Sequence, residues 1–140
     1  MTAYDQQNIF AKILRGEMPA TCVYEDEMTL AMMDIMPRAD GHVLVLPKAA
    51  SRNILDIEAS DMAAVMSTAQ KIARAQMTAF NADGITVQNF CESAGGQVVF
   101  HTHVHVLPRH EGVDLRPPGT MADSSVLEAH AVKIRAVLAA

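Results

Sequence analysis

Tryptophan is missing from this chain, and the other aromatics amount to two tyrosines and four phenylalanines. Ten methionines fill some of the room that rings would otherwise take, which points to an adaptable core but names no ligand. Cysteine is scarce as well. Cys22 and Cys91 are too few and too irregularly placed for a disulfide framework or a paired-thiol motif, and they suit a reduced, cytoplasmic setting. The opening stretch MTAYDQQNIF lacks a basic region running into an apolar one, so no secretory signal is expected. No apolar run approaches the length that spans a bilayer, and no membrane partner is expected. Eleven Lys and Arg face sixteen Asp and Glu, a net charge of -5. That balance argues against an extended footprint on a nucleic-acid polymer, which needs a basic surface, but leaves room for a single nucleotide held by local donors.

The residues that are present make a core. Half of the 140 are hydrophobic and 19% are charged, a composition that folds rather than stays disordered, and the length suits one domain, 1–140. Residues 7–15 predict a short helix stopped at Gly16. Runs 21–25 and 28–34 read as strands around an acidic turn. The turn cluster MPRADG (36–41) leads into HVLVLP, a buried strand ended by Pro47. The strongest helix runs from Ser60 to about Phe80. Met62, Val65, Met66, Ala69, Ile72, Ala73, Met77 and Phe80 recur along it at three- and four-residue steps. ITVQNF (85–90) and residues 97–108 predict an antiparallel hairpin through a short glycine-bearing loop. Arg109 to Ala122 reads as an irregular, solvated tail, and a last helix begins near Ser124. This order suits an α+β domain built on an antiparallel sheet.

Three of the six histidines fall at alternate positions, His101, His103 and His105, inside VFHTHVHVL. On a strand they would form one row about 7 Å apart, with Phe100, Thr102, Val104 and Val106 turned to the other face. Three readings follow. The imidazoles could be hydrogen-bonded structural groups, since buried polar groups need partners. They could be metal ligands, for which His-x-His spacing serves. Or one could be a nucleophile in phosphoryl chemistry, with its neighbours holding phosphate oxygens. The preceding Ala94-Gly95-Gly96-Gln97 lets backbone N–H groups approach an anion, and no carboxylate or thiolate stands at metal-ligand spacing, so the phosphoryl reading gains.

HTHVHVL resembles the histidine-triad motif, His-φ-His-φ-His-φ-φ with φ hydrophobic, of the HIT family of nucleotide hydrolases and transferases; Thr102 is a mild departure. NIFAKILRGEMPA, TLAMMDIMPRADGHVLVLPK and AGGQVVFHTHVHVLPR resemble the family's N-terminal segment, central strands and active-site hairpin, in that order. The resemblance implies a HIT-like fold, a five-stranded antiparallel sheet with one long and two shorter helices, paired into a homodimer through the long helix and an edge strand. It also implies a hydrolase acting on a purine nucleotide conjugate, a Hint-like phosphoramidase releasing a nucleoside monophosphate such as AMP. His103 would be the nucleophile, supported by His101, His105 and His42. Asp34 would hold the ribose hydroxyls, and Ile9, Phe10, Ile13, Met32 and Ile35 would line the nucleoside pocket. Gly96 and Gln97 would meet the phosphates.

Some positions depart from the family pattern. Phe90 or Cys91 stands where relatives carry an Asn, leaving Asn89 as the nearest amide for nucleotide binding. Val98 replaces a common Ser or Thr. Ala11 and Ala20 occupy places where some bacterial members have zinc-binding cysteines, so neither a metal nor another cofactor is expected. Two other activities fit the same motif, a dinucleoside polyphosphate hydrolase and a nucleotide-binding module with negligible turnover.

Overall fold

The computed structural model describes residues 2–140. One antiparallel sheet contains β1 (Cys22–Glu25), β2 (Thr29–Met33), β3 (Val43–Pro47), β4 (Gly84–Gln88) and β5 (Val104–Arg109), in the order β1-β2-β3-β5-β4. Three helices accompany it, α1 (Ile9–Leu14), α2 (Ala59–Ala79) and α3 (Ser124–Ala139). Strand alternation sorts the sheet into two faces. Val23, Ala31, Met33, Val43, Val45, Val104 and Val106 pack with Val65, Ala69 and Ile72 of α2 and with Leu127, Ala131 and Ile134 of α3. The opposite face carries Leu30, Met32, Leu44 and Leu46 against Phe10 of α1. Register across Met32, Leu44, His105 and Gln88 places His105 on this second face. The sheet therefore has one face for helices α2 and α3 and another for chemistry.

β2 and β3 are buried along their whole length, which is why TLAMM and VLVLP read as nearly continuous apolar runs rather than alternating ones. α1 begins where the Asn8 side chain accepts from the Ala11 N–H at 2.9 Å, a cap that satisfies one orphan donor of the first turn. On α2 the expected stripe holds at Val65, Ala69 and Ile72 but fails at Met66 and Met77, which are 43% and 40% exposed. Thr68 and Gln76 are buried instead. Their partners explain this. The Thr68 and Thr29 hydroxyls share a hydrogen bond at 2.7 Å, and Gln76 reaches two backbone carbonyls. A hydropathy stripe does not count polar groups that find partners inside.

The second correction concerns the histidines. β4 and β5 pair antiparallel as expected, but β5 begins at Val104, and the connection is the loop 89–103 with a short 3-10 turn at Ser93–Gly95. His101 and His103 precede the strand, so of the three only His105 sits in the ladder. Hydrogen bonds to distant parts of the chain hold this segment out of the ladder; the Thr102 N–H, for one, donates to Ser51 O at 2.9 Å. The tail is also more anchored than expected. The Arg116 N–H donates to Arg38 O at 2.8 Å and the Ala122 N–H to Ile35 O at 3.0 Å, strapping it along the turn after β2. Among the described residues, no helix is long and apolar enough to cross a membrane.

Candidate active site

The turn between β2 and β3 delivers two groups. Asp34 follows β2, and its N–H donates to His42 O at 3.0 Å, closing the turn. Gly41 has φ +82, and a Cβ there would lie 2.4 Å from the Phe80 ring, so only glycine lets the chain pass the end of α2 and place His42 at the mouth of β3. His42 Nε2 lies 2.9 Å from His105 Nδ1 on the adjacent β5 and 3.3 Å from Asp34 Oδ2. The His105 and His103 ring centroids are 5.0 Å apart, and Phe10 of α1 meets the His103 ring edge-on at 4.8 Å.

Hydrogen-bond partners fix every tautomer. The Arg38 N–H donates to His42 Nδ1 at 3.1 Å, so the proton of neutral His42 sits on Nε2. From there it is donated to His105 Nδ1, which leaves the His105 proton on Nε2. His103 Nδ1 faces His101 O at 2.6 Å, and since a carbonyl only accepts, Nδ1 carries the proton and Nε2 keeps its lone pair. His101 is bound at both nitrogens. Its Nε2–H donates to Pro47 O at 2.8 Å and its Nδ1 accepts from the Tyr4 hydroxyl at 2.6 Å. The four imidazoles thus divide into one free lone pair on His103, one free N–H on His105, a buried relay residue in His42 and a fully engaged His101.

The electrostatics favour neutral rings. Burial, reinforced by Arg38, Arg116 and His103, pushes His42 down to about 3. Burial and the neighbouring His103, His42 and Arg38 push His105 down to about 3 as well. His103 and His101 are also lowered by burial, against the raising effect of their backbone hydrogen bonds. Asp34 moves the other way, raised by burial although the Met36 N–H stabilises its charged form. Burial therefore favours the neutral, nucleophilic form of His103.

The remaining expected residues fall into two groups. Phe10 and Met32 are buried on the α1 side, Ile13 packs beside them, and Ile9 and Ile35 are exposed at 39% and 44%. Asn89 donates to His103 O at 2.9 Å, supporting the nucleophile's backbone rather than standing free. Gln97 is likewise committed inside. Its amide donates to Arg52 O and Val99 O and accepts from the Asn53 side chain and the Glu92 N–H. It therefore has no group left over for a phosphate, and its role is to build the loop. Gly96 stays exposed, with φ +96 and the Phe90 ring beneath it.

The brace behind this loop escapes sequence reasoning. Arg52 forks onto the Glu92 carboxylate at 2.8 and 3.0 Å and lies over the Phe100 ring at 4.1 Å. Asn53 donates to Glu92 as well, and Ser51 and Thr102 share a hydroxyl hydrogen bond at 2.7 Å. Glu92 itself has φ 63, a left-handed conformation that these contacts hold in place. No spacing rule joins residues 51–53 to 92–102. Tyr4 and Arg38 escape for the same reason. Only the turn-rich composition around them hints at backbone groups needing partners.

Asp34, His42 and His105 also form the one group of at least three His, Cys, Asp or Glu side chains, among the described residues, whose ligand atoms converge closely enough for a metal ion. Their hydrogen bonding does not fit one. A histidine ligand donates its second ring N–H outward, whereas His42 accepts there, and its Nε2 has no lone pair to offer unless the ring loses both protons. The cluster is built for a proton.

The HIT domain family model matches residues 15–112. A HIT-like protein from Bartonella henselae, described as involved in cell-cycle regulation and crystallised with an unknown ligand, has a TM-score of 0.92 and 50% identity, covering 96% of this chain and 99% of that one. A zinc-bound histidine triad family protein from Mycobacterium smegmatis has a TM-score of 0.86 at 35% identity, covering 96% and 94%. The adenylylsulfatase HINT3 of Arabidopsis thaliana is 38% identical over 74% of this chain and 52% of its own length. Sheet order, histidine motif and sequence agree, and the chain belongs to the HIT family.

Proposed function

We propose that this protein hydrolyses nucleoside 5'-phosphoramidates and related nucleotide conjugates at the α-phosphorus, through a covalent nucleotidyl-His103 intermediate. The family and its adenylylsulfatase relative support the broader role of a nucleotide-hydrolysing or nucleotide-binding protein, and make adenylyl sulfate a natural second substrate. The observation that carries the finer reading is the hydrogen bond from His103 Nδ1 to His101 O, which leaves Nε2 as a free nucleophile beside the Nε2–H of His105.

In the first step His103 Nε2 forms a bond to phosphorus as the bond to the leaving nitrogen or oxygen breaks. The His103 ring becomes cationic, and the carbonyl on Nδ1–H stabilises that charge. His105 donates an Nε2–H hydrogen bond to the departing group or to a phosphoryl oxygen, with His42 behind it, and the departing group takes its proton from solvent. Water then attacks phosphorus and gives up a proton to solvent, the P–N bond breaks, and a nucleoside monophosphate leaves with His103 neutral again. Asp34 accepts hydrogen bonds from the ribose diol, and Phe10, Ile9 and Ile35 offer apolar contact to a purine. Two copies pair through Met66 and Met77 on α2 and the open edge of β4, where Val87 is 47% exposed. Cys22 and Cys91 are both free thiols, as the cytoplasm would keep them.

The test is rapid-quench mass spectrometry with adenosine phosphoramidate, adenylyl sulfate and diadenosine tetraphosphate. A nucleotidyl adduct on His103 and release of AMP are expected, both abolished in His103→Ala. Equal turnover by the variant would remove the mechanism. Cleavage of the dinucleotide alone would move the protein to the polyphosphate branch, and binding without any product would make it a binding module.

A further inference from the structure

Gln76 lies on α2, on the far side of the sheet from the histidines, and is fully buried. Its side-chain amide donates to Gly41 O at 2.9 Å and to Val106 O at 2.8 Å. These carbonyls belong to the residues adjoining His42 and His105. The β3–β5 ladder ends at the Val43–Val106 pair, and Gln76 ties Val106 of that pair to Gly41, two residues before Val43. Phe80, one helical turn on, closes over Gly41 from the same side. The other end of the amide has no such use. Gln76 Oε1 is the one buried side-chain polar atom without a hydrogen-bond partner among the described residues. A buried orphan acceptor is costly, and an apolar residue of the same size would avoid that cost. The amide is thus kept for what its two N–H groups do.

We infer that Gln76 is a positioning residue, which sets the separation of the His42–His105 pair by holding the backbone carbonyls of Gly41 and Val106 together from the opposite face of the sheet. The catalytic consequence rests on the reading of His105 as hydrogen-bond donor to the reacting group. The positional claim does not, because it concerns two imidazoles whatever they act on. A shift confined to the Gly41–Val106 end would lengthen the His42 Nε2 to His105 Nδ1 hydrogen bond while sparing His103, whose Nδ1 partner lies on its own loop, and His101, whose partners are Tyr4 and Pro47 at the far end of β3.

Long-range 1H–15N spectra of the histidine rings test the claim directly, in Gln76→Met, which keeps the bulk and removes both donors, and in Gln76→Asn, which keeps an amide one methylene short. Thr68→Val is the control, since it breaks a buried hydrogen bond on the same helix away from the site. In both Gln76 variants the ring nitrogens of His42 and His105 should move toward tautomer-averaged values, with those of His101 and His103 unchanged. Phosphoramidate turnover should fall about ten- to a hundredfold in kcat with KM within about twofold, as expected when a reacting group is misplaced and substrate binding stays intact. Thr68→Val should lower thermal stability with no change in either readout. The positioning role is overturned if both Gln76 variants keep the native ring spectrum and are only less stable, as the control is. Wild-type protein inactive on every conjugate would refute the proposed function, and the ring spectra would still decide this inference.

Discussion

His42 Nε2 stands 2.9 Å from His105 Nδ1, and the proton between them belongs to His42 because the Arg38 N–H occupies that ring's other nitrogen. The order runs one way, from backbone amide through His42 to the outward N–H of His105. Replacing His42 by Ala removes a neighbour that suppresses His105 protonation and lets water reach the ring. His105 should therefore bind a proton at higher pH in His42→Ala than in the parent protein. An NMR titration of the ring carbons checks this. A His105 titration that stays at its parent position would mean that His42 neither dries nor polarises it. Turnover should fall about a hundredfold, the low end of what one preorganised donor at a developing charge contributes.

Acid should loosen this fold early. An unfolded chain protonates its imidazoles near pH 6.5, whereas folded His42 and His105 stay neutral until about 3, with His101 and His103 also held down. Between those limits the unfolded state binds more protons, so stability is full above about pH 6.5 and falls as the pH drops. Each ring contributes up to about 1.4 kcal/mol per pH unit. Asp34 works against the trend, because its raised carboxyl takes a proton in the folded state first. The expected result is a lower urea midpoint at pH 5 than at pH 7, with little change between 7 and 8. Equal midpoints at 5 and 7 would show that the native site accepts those protons.

Tyr4 has one visible task, its hydroxyl on His101 Nδ1. Tyr4→Phe leaves a buried acceptor unpaired and should cost about 1–3 kcal/mol in equilibrium unfolding. Because His101 positions His103 through its carbonyl, kcat should drop more than KM rises. Unfolding curves and steady-state kinetics measured side by side settle both halves.

These residues show what is legible in the sequence and what is not. The helix over 59–79 can be read because Val65, Ala69 and Ile72 share a period, and β2 and β3 because their apolar runs are short and bounded by turns. His103 and His105 can be singled out as chemistry from the motif. Their arrangement cannot, since alternate spacing imitates a strand while hydrogen bonds to Ser51 and Asn89 keep 97–103 out of the sheet. Gln97 is easily misread because a glutamine beside two glycines looks free, whereas its four partners come from Arg52, Asn53, Glu92 and Val99. Long-range pairing of polar side chains with backbone groups leaves no periodic trace.

Glu92 offers a clean separation of backbone from side chain. Both Glu92→Ala and Glu92→Gly remove the carboxylate that Arg52 and Asn53 grip, but only glycine accepts φ 63 without strain. The glycine variant should therefore melt at a higher temperature than the alanine variant, with both below the parent. Calorimetry on the three proteins gives the ranking. Alanine above glycine would mean that the loop rebuilds once its clamp is gone.

The sheet order has a kinetic corollary. β3 is the central strand and β5 its inner neighbour, so His42 and His105 are tied to the part of the molecule that opens only when everything opens. Ser93 to Gly96, by contrast, is exposed and held by one turn of local hydrogen bonds. In deuterium exchange the amides of Leu44 and Val106 should retain their protons for the lifetime of the native state, while those of the glycine loop exchange within its fluctuations. The imidazole pair is thus built on a slow clock and the glycine loop on a fast one, so the loop can fluctuate without the imidazoles losing their alignment.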